Sequence, residues 1–260
     1  MFESKLRKHP QSIVLPEGSD PRILEAASRL LAANFLFPIL IGKEEEIFAA
    51  AEEAGFNIRG AKIIDPQNYE RFDEMVELFV KLREHRDMTA EKAKVKLLHP
   101  NYFGCMLVRM GEADSILSGA TYNAMDTLLP LMQILKDKGR EQLVSSCYVL
   151  DRANATGENT RMIMGDCAIN IDPSEDELVT MCGDMLKCAR SFDMVQKLAF
   201  LFPDVQSVNI GYKIAARMCN FSVYGPIMLG LDFKGNGLSR SCNPQEVYTM
   251  AVITAAGVEG

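Results

Sequence analysis

The strongest constraint on the fold is a short-period alternation that runs through residues 12 to 65. Ser12–Leu15 is a brief apolar run, long enough for a strand buried on both faces and too short for a helix. Pro16-Glu17-Gly18-Ser19-Asp20 then turns the chain, and Pro21 stands where a first helical residue tolerates proline. Leu24, Ala27, Leu30 and Leu31 share one face of the helix that follows, which ends near Asn34. Leu36–Ile41 reads as strand, residues 43 to 54 as helix and Ala61–Asp65 as strand. Strands and helices alternating this closely predict an α/β domain with a mostly parallel sheet.

The pattern continues with wider spacing. Two helices are expected between Asn68 and Leu98, a buried helix over Phe103–Met110, and a strand from Glu112 that ends in Ser118-Gly119-Ala120. A helix from about Ala124 to Leu135 precedes the charged break Lys136–Arg140, a plausible domain boundary. Beyond it, Leu143–Leu150 and Arg161–Met164 read as paired strands around a polar turn at 153–159, and Asp172-Pro173-Ser174 caps a helix running to about Ala189. Strand over Lys197–Phe202, helix over Asn209–Cys219, strand over Val223–Leu231 and a closing helix over Asn243–Ala256 complete the reading.

Two stretches have the makings of a site. Gly235-Asn236-Gly237 allows a sharply bent backbone; Leu238-Ser239-Arg240-Ser241-Cys242 supplies hydroxyls and a guanidinium; Asn243-Pro244 opens a helix. A cation and hydroxyls just upstream of a helix N-terminus suit a phosphate or other anion, although the same residues also suit an ordinary surface loop. Glu246 completes Asn243-x-x-Glu246, the spacing of a capping box, which is a structural task in itself. Ser118-Gly119-Ala120 lies at the carboxyl end of its strand, where open α/β sheets bind ligands, but a tight βα turn needs the same small residues. Arg83 and Arg86 fall at a helix C-terminus, where positive charge is favourable without any ligand.

Composition narrows the partners. With a net charge of −7 and a pI near 5.2, nucleic acid is disfavoured and a small anion needs a local basic site. The charged opening residues lack the apolar core of a signal peptide and no apolar run is long enough to cross a bilayer, so a cytoplasmic location is expected. Seven cysteines, odd in number and without a C-x-x-C, together with three histidines, point to reduced thiols and no metal.

Several blocks carry a family resemblance in their order along the chain: Ile13–Gly18, Met110–Asp114 with Ser118–Ala120, Gly165–Asn170, Asn209–Lys213, Gly225–Ile227 and Leu238–Asn243. Together they resemble the phosphate acetyltransferases (phosphotransacetylases), with the acetyl and butyryl transferases as the wider group. The resemblance implies two α/β domains with mostly parallel sheets and a cleft between them, residues 1–138 with 226–260 forming the first and 139–225 a second, inserted domain. It implies a homodimer that moves an acetyl group reversibly between coenzyme A and inorganic phosphate, with acetyl-CoA, phosphate and acetyl phosphate as substrates and no permanently bound cofactor. By motif position Glu246 takes the thiol proton, Ser239 stabilises the transition state, and Arg240 with Arg83 holds phosphate. Ser118, Gly119, Asn209, Lys213 and Cys242 fall among the substrate-binding positions.

The chain departs from the family pattern at definable places. Glu246 replaces the usual Asp, Leu129 stands where Arg is common, Tyr122 where His is common, and Val208 replaces a Gly beside Asn209, where a side chain could crowd a ligand. Phe202-Pro203-Asp204 follows Leu201 at once, where the family runs on through several tens of residues, so the second domain reads as shortened. These departures leave an alternative to the enzyme: a silent family member that senses acyl-CoA or acetyl phosphate, or that serves as an interaction subunit.

Overall fold

A computed structural model describes residues 2–136, 143–152, 161–165, 169–170, 172–194, 199–201 and 205–258. In chain order its main elements are α1 (Phe2–Lys8), β1 (Gln11–Leu15), α2 (Pro21–Ala33), β2 (Leu36–Ile41), α3 (Glu44–Ala54), β3 (Lys62–Ile64), α4 (Phe72–Leu82), α5 (Ala90–Leu97), α6 (Pro100–Arg109), β4 (Ser115–Ser118) and α7 (Ala124–Ile134). They continue with β5 (Ser145–Asp151), β6 (Arg161–Gly165), α8 (Glu175–Ser191), β7 (Ala199–Leu201), α9 (Val205–Met218), β8 (Ser222–Leu229), β9 (Lys234–Gly237) and α10 (Pro244–Ala256). The chain divides into one unit of Met1–Asp137 with Asp232–Ala256 and another of Lys138–Leu231 with Gly257–Gly260.

The first unit is built on a five-stranded sheet in the order β3-β2-β1-β4-β9, parallel throughout. β1 is central, and Ile13, Val14 and Leu15 are wholly buried, as expected where helices cover both faces of a parallel sheet. From β1 the chain winds outward through β2 to β3, then crosses back to place β4 on β1's other side. That reversal makes the β1–β4 boundary a topological switch point, where the loops leaving the two strands part and open a crevice. α10 is apolar nearly all round, with Val247 and Met250–Ala256 buried, because it packs on α2, α1 and the sheet together.

Gly235-Asn236-Gly237 is not the bend expected from its glycines but the body of β9, paired in register with Ile116, Leu117 and Ser118 of β4. A Cβ on Gly235 would lie 2.7 Å from Leu131 Cδ2 and 2.8 Å from Leu135 Cδ1, so the glycine lets α7 approach the strand closely. The charged opening residues, with no apolar periodicity of their own, also form a helix, α1. It is a short helix that buries Leu6, and its Lys5 ammonium donates to the carbonyl of Ala256 at 2.6 Å.

The second unit holds a four-stranded sheet, β7-β6-β5-β8. Here the expectation of a mostly parallel sheet is corrected: only β6–β7 is parallel, while β5 pairs antiparallel with both β6 and β8. β8 runs across the expected boundary at residue 225 and pairs with β5 over Ser222–Leu229, so residues to Leu231 group with the second unit. Ser174 and Glu177 form the capping box that starts α8. The turn at 153–159, Asp166–Ala168, Phe202–Asp204 and Asp137–Arg140 lie outside the described residues.

Candidate active site

Because every strand of the first sheet points the same way, the loops after β1, β4 and β9 gather along one edge. Leu238 continues from β9, and its amide donates to the carbonyl of Ser118 at 2.7 Å. Gly119 then turns away with φ +119°, a conformation that side chains disfavour, and a Cβ there would meet Leu238 O at 2.7 Å. Small residues at the end of β4 are therefore required by the β9 loop pressing against them, whatever else they bind.

Three residues that the sequence reading did not single out organise this edge. Glu17 is 6% exposed. Its Oε1 accepts from the amide of Gly119 at 2.7 Å and from that of Thr121 at 3.4 Å, while Oε2 is buried without a hydrogen-bond partner among the described residues. Burial pushes its carboxyl above the ordinary value, outweighing those two amides. Asn101, fully buried on α6, accepts the Ser118 hydroxyl at 2.6 Å and donates to the carbonyl of Asp126 at 2.8 Å, linking β4 to α7.

Arg22 is the third. It lies in the first turn of α2, after the N-cap Asp20, and pairs with that carboxylate through Nε at 3.0 Å and NH2 at 2.8 Å. NH2 also reaches the carbonyl of Ala120 at 2.7 Å, and NH1 the carbonyls of Arg240 at 2.8 Å and Cys242 at 3.2 Å. Burial alone would raise the Asp20 carboxyl, yet the Arg22 hydrogen bonds and charge hold it below its ordinary range.

The structure brings Ser118, Gly119, Ser239, Arg240, Cys242 and Glu246 to this edge. Ser239 and Ser241 share a hydroxyl–hydroxyl hydrogen bond of 2.9 Å, and Arg240 is exposed at the turn. Cys242 is buried, which pushes its thiol up to about 11, although the nearby Arg22 charge works against that. Glu246 makes the capping box: its Oε2 accepts from the amide of Asn243, and its own amide donates to Asn243 Oδ1, both at 2.9 Å. Its Oε1 has no hydrogen-bond partner among the described residues.

The remaining positions belong to other elements. Arg83 follows α4, half-buried, with its Nε buried and without a partner among the described residues. Asn209 and Lys213 sit one turn apart on α9 in the second unit, half-buried and exposed respectively. Val208 does not face a ligand surface. It is wholly buried with Tyr148, Leu150, Met164 and Tyr212, which corrects the expectation that it crowds a substrate and explains the valine as core. Tyr122 packs its ring on His99, centroids 4.9 Å apart. A separate cleft of about 780 Å³ beside Lys43 and Asp65 contains none of these residues, and its acidic lining, with Glu44 and Glu45, suits an anion poorly. No group of three His, Cys, Asp or Glu residues fit to hold a metal occurs among the described residues, nor is any helix there long and apolar enough to cross a membrane.

An open parallel sheet with hydroxyls, a guanidinium and a carboxylate gathered at its switch point defines an α/β protein of the class that takes its ligands at the carboxyl ends of the strands. The family described as phosphate acetyl/butaryl transferase matches residues 2–201 and 195–255, and the chain belongs to that family. The phosphate acetyltransferase of Bacillus subtilis strain 168 is 34% identical over 318 aligned residues, covering 98% of this chain and 97% of the relative. That of Thermoanaerobacterium thermosaccharolyticum is 31% identical, covering 96% of each. A phosphotransacetylase crystal structure from Streptococcus pyogenes superposes with a TM-score of 0.87 at 33% identity, covering 98% of this chain and 96% of that one. The 318 aligned positions exceed the 260 residues of this chain, and the family match breaks into two stretches that meet at 195–201.

Proposed function

We propose that the protein is a phosphate acetyltransferase, exchanging an acetyl group between coenzyme A and inorganic phosphate, with the Leu238–Glu246 segment as its reacting centre. The observation that carries this reading is the loop itself. Ser239, Arg240 and Glu246 stand within one short stretch that Leu238, Gly119 and Arg22 fix against the switch point. A coenzyme A thiol near its free pKa is mostly protonated at neutral pH, so a base must generate the nucleophile.

Glu246 supplies that base through Oε1, while the capping bond to Oε2 orients the carboxylate. The thiolate attacks the carbonyl carbon of acetyl phosphate, and a tetrahedral oxyanion forms. The Ser239 hydroxyl donates to the developing charge, and Arg240 with Arg83 holds the phosphoryl group. Collapse breaks the C–O bond, leaving the acetyl thioester, and the proton held by Glu246 passes to the departing phosphate. Ser118, Gly119 and Cys242 shape the wall of the site, and Asn209 and Lys213 are substrate-binding positions by family motif alone. The substrate set is acetyl-CoA, phosphate and acetyl phosphate, with no resident cofactor, acting in a cytoplasmic homodimer.

A second reading has its own support. Leu129 occupies α7 where the family resemblance calls for Arg, and the family match breaks at 195–201. Both favour a silent member that binds acyl-CoA or acetyl phosphate without turnover. Incubation with acetyl-CoA and phosphate, following thiol release, separates the two: release above the uncatalysed rate supports the transferase, and saturable binding without release supports the silent member.

A further inference from the structure

Arg22 was not among the site residues expected from the sequence, yet its guanidinium joins more of the catalytic edge than any of them. A guanidinium has five N–H donors in a fixed planar fork and no acceptor. In Arg22 they meet five protein oxygens: both carboxylate oxygens of Asp20 and the carbonyls of Ala120, Arg240 and Cys242. The first belongs to the loop after β1, the second to the loop after β4, and the last two to the loop after β9.

We infer that Arg22 is a positioning residue of this site, one that sets where the backbone between Ser239 and Cys242 presents the Ser239 hydroxyl and the Arg240 guanidinium. The inference rests on the proposed role of that loop. With all five donors committed to protein oxygens, none remains for a substrate phosphate, so Arg22 does not itself bind the anion. Asp20 orients the fork and is fixed in turn as the N-cap of α2, accepting from the Arg22 amide at 2.9 Å. The ion pair is largely sheltered, with side-chain exposures of 27% for Arg22 and 11% for Asp20, so solvent competes weakly for these donors. Cys242 closes the loop internally by donating its amide to the Ser239 carbonyl at 2.9 Å, so a pull on the Cys242 carbonyl is passed directly to Ser239. Lysine could not replace this arrangement, since an ammonium has three donors and no fork.

The test uses the full chain as Arg22→Ala, Arg22→Lys and Asp20→Asn. Amide hydrogen exchange in the peptides spanning 119–122 and 239–243 is read beside steady-state acetyl transfer. Both Arg22 variants should exchange faster in those two segments while the β1 and β4 amides keep wild-type protection. Their kcat should fall about 100-fold, the cost of a displacement near 1 Å, with KM for phosphate and acetyl-CoA held within about threefold. Asp20→Asn should give the same pattern more weakly. The Lys variant keeps the packing of the stem, so the result stands even where Arg22→Ala fails to fold. Unchanged exchange at 239–243, full rescue by lysine, or a raised KM for phosphate at constant kcat would each overturn the inference. Absence of turnover in the wild type would instead remove the transferase reading, and the exchange data alone would then decide whether Arg22 positions the loop.

Discussion

Asn243 and Glu246 exchange two hydrogen bonds of 2.9 Å across the first turn of α10, each backbone amide donating to the other's side chain. The capping role of Glu246 is therefore real, and it leaves the proposed base role open, because the cap engages only one carboxylate oxygen. The same bond that caps the helix fixes the direction of the other oxygen.

Substitution at Glu246 separates the two roles. Glu246→Gln keeps an acceptor for the Asn243 amide, so the thermal midpoint should stay near wild type while kcat falls by roughly 100- to 10,000-fold. Glu246→Ala should lose the cap as well, at about 1 kcal/mol in urea titration. A Gln variant with wild-type turnover sinks the base assignment.

Glu17 makes the protein's stability depend on pH in a defined direction. Its carboxyl is raised in the folded state by burial, so between the unfolded and folded values the native state binds more protons than the unfolded one. Its stabilising contribution is full below the ordinary carboxylate value and is lost as pH rises through the folded value. Glu17→Gln, an isostere of the protonated form, should remove that decline, so urea titrations of the two proteins should diverge as pH rises. Parallel stability curves across the acid range would show that the carboxyl is not raised.

Gly119 and Gly235 both exclude a side chain, for reasons that predict different costs. At Gly119 the obstacle is the backbone of Leu238 and φ is positive, so Gly119→Ala must displace the β9 loop and should lose both stability and turnover. At Gly235 the obstacles are the tips of Leu131 and Leu135, which can shift, so Gly235→Ala should cost about 1–3 kcal/mol with turnover largely kept. Paired denaturation and rate measurements check the contrast; equal losses of turnover would refute it.

The anion site should respond to charge at three positions. Arg83→Ala and Arg240→Ala should each weaken phosphate binding by about 2–5 kcal/mol where the contact is desolvated. Leu129→Arg should strengthen it, restoring the family's cation on α7. Titration calorimetry with phosphate tests all three, and an unchanged affinity in Leu129→Arg would mean that α7 does not face the anion.

The central strands and amphipathic helices were readable because each is coded locally. Ser12–Leu15 and Leu36–Ile41 carry the apolar runs of buried strands, Ala61–Asp65 the shorter run of an edge strand, and Asp20-Pro21 and Ser174 carry their caps within one turn of the helices they start. The candidate site was legible where it is contiguous, from Leu238 to Glu246. The misreadings share one cause. Gly235-Asn236-Gly237 looks like a turn in isolation and becomes a strand because β4 supplies partners and α7 needs the space; Val208 looked like an intruder and is core because Tyr148 and Tyr212 lie over it.

Local pattern thus determined the α/β class and the order of most elements, and placed hydroxyls, a guanidinium and a carboxylate in the one stretch from Leu238 to Glu246. Tertiary structure decided which residues serve them. Arg22 reaches carbonyls 98 and 220 positions away at Ala120 and Cys242, Asn101 reaches Asp126, and Glu17 reaches Gly119, 102 positions distant. Backbone carbonyls and amides carry no side-chain signature, so a residue whose partners are backbone groups on other strands leaves no pattern in its own neighbourhood. Its role exists only once the parallel sheet has brought the ends of β1, β4 and β9 to one edge.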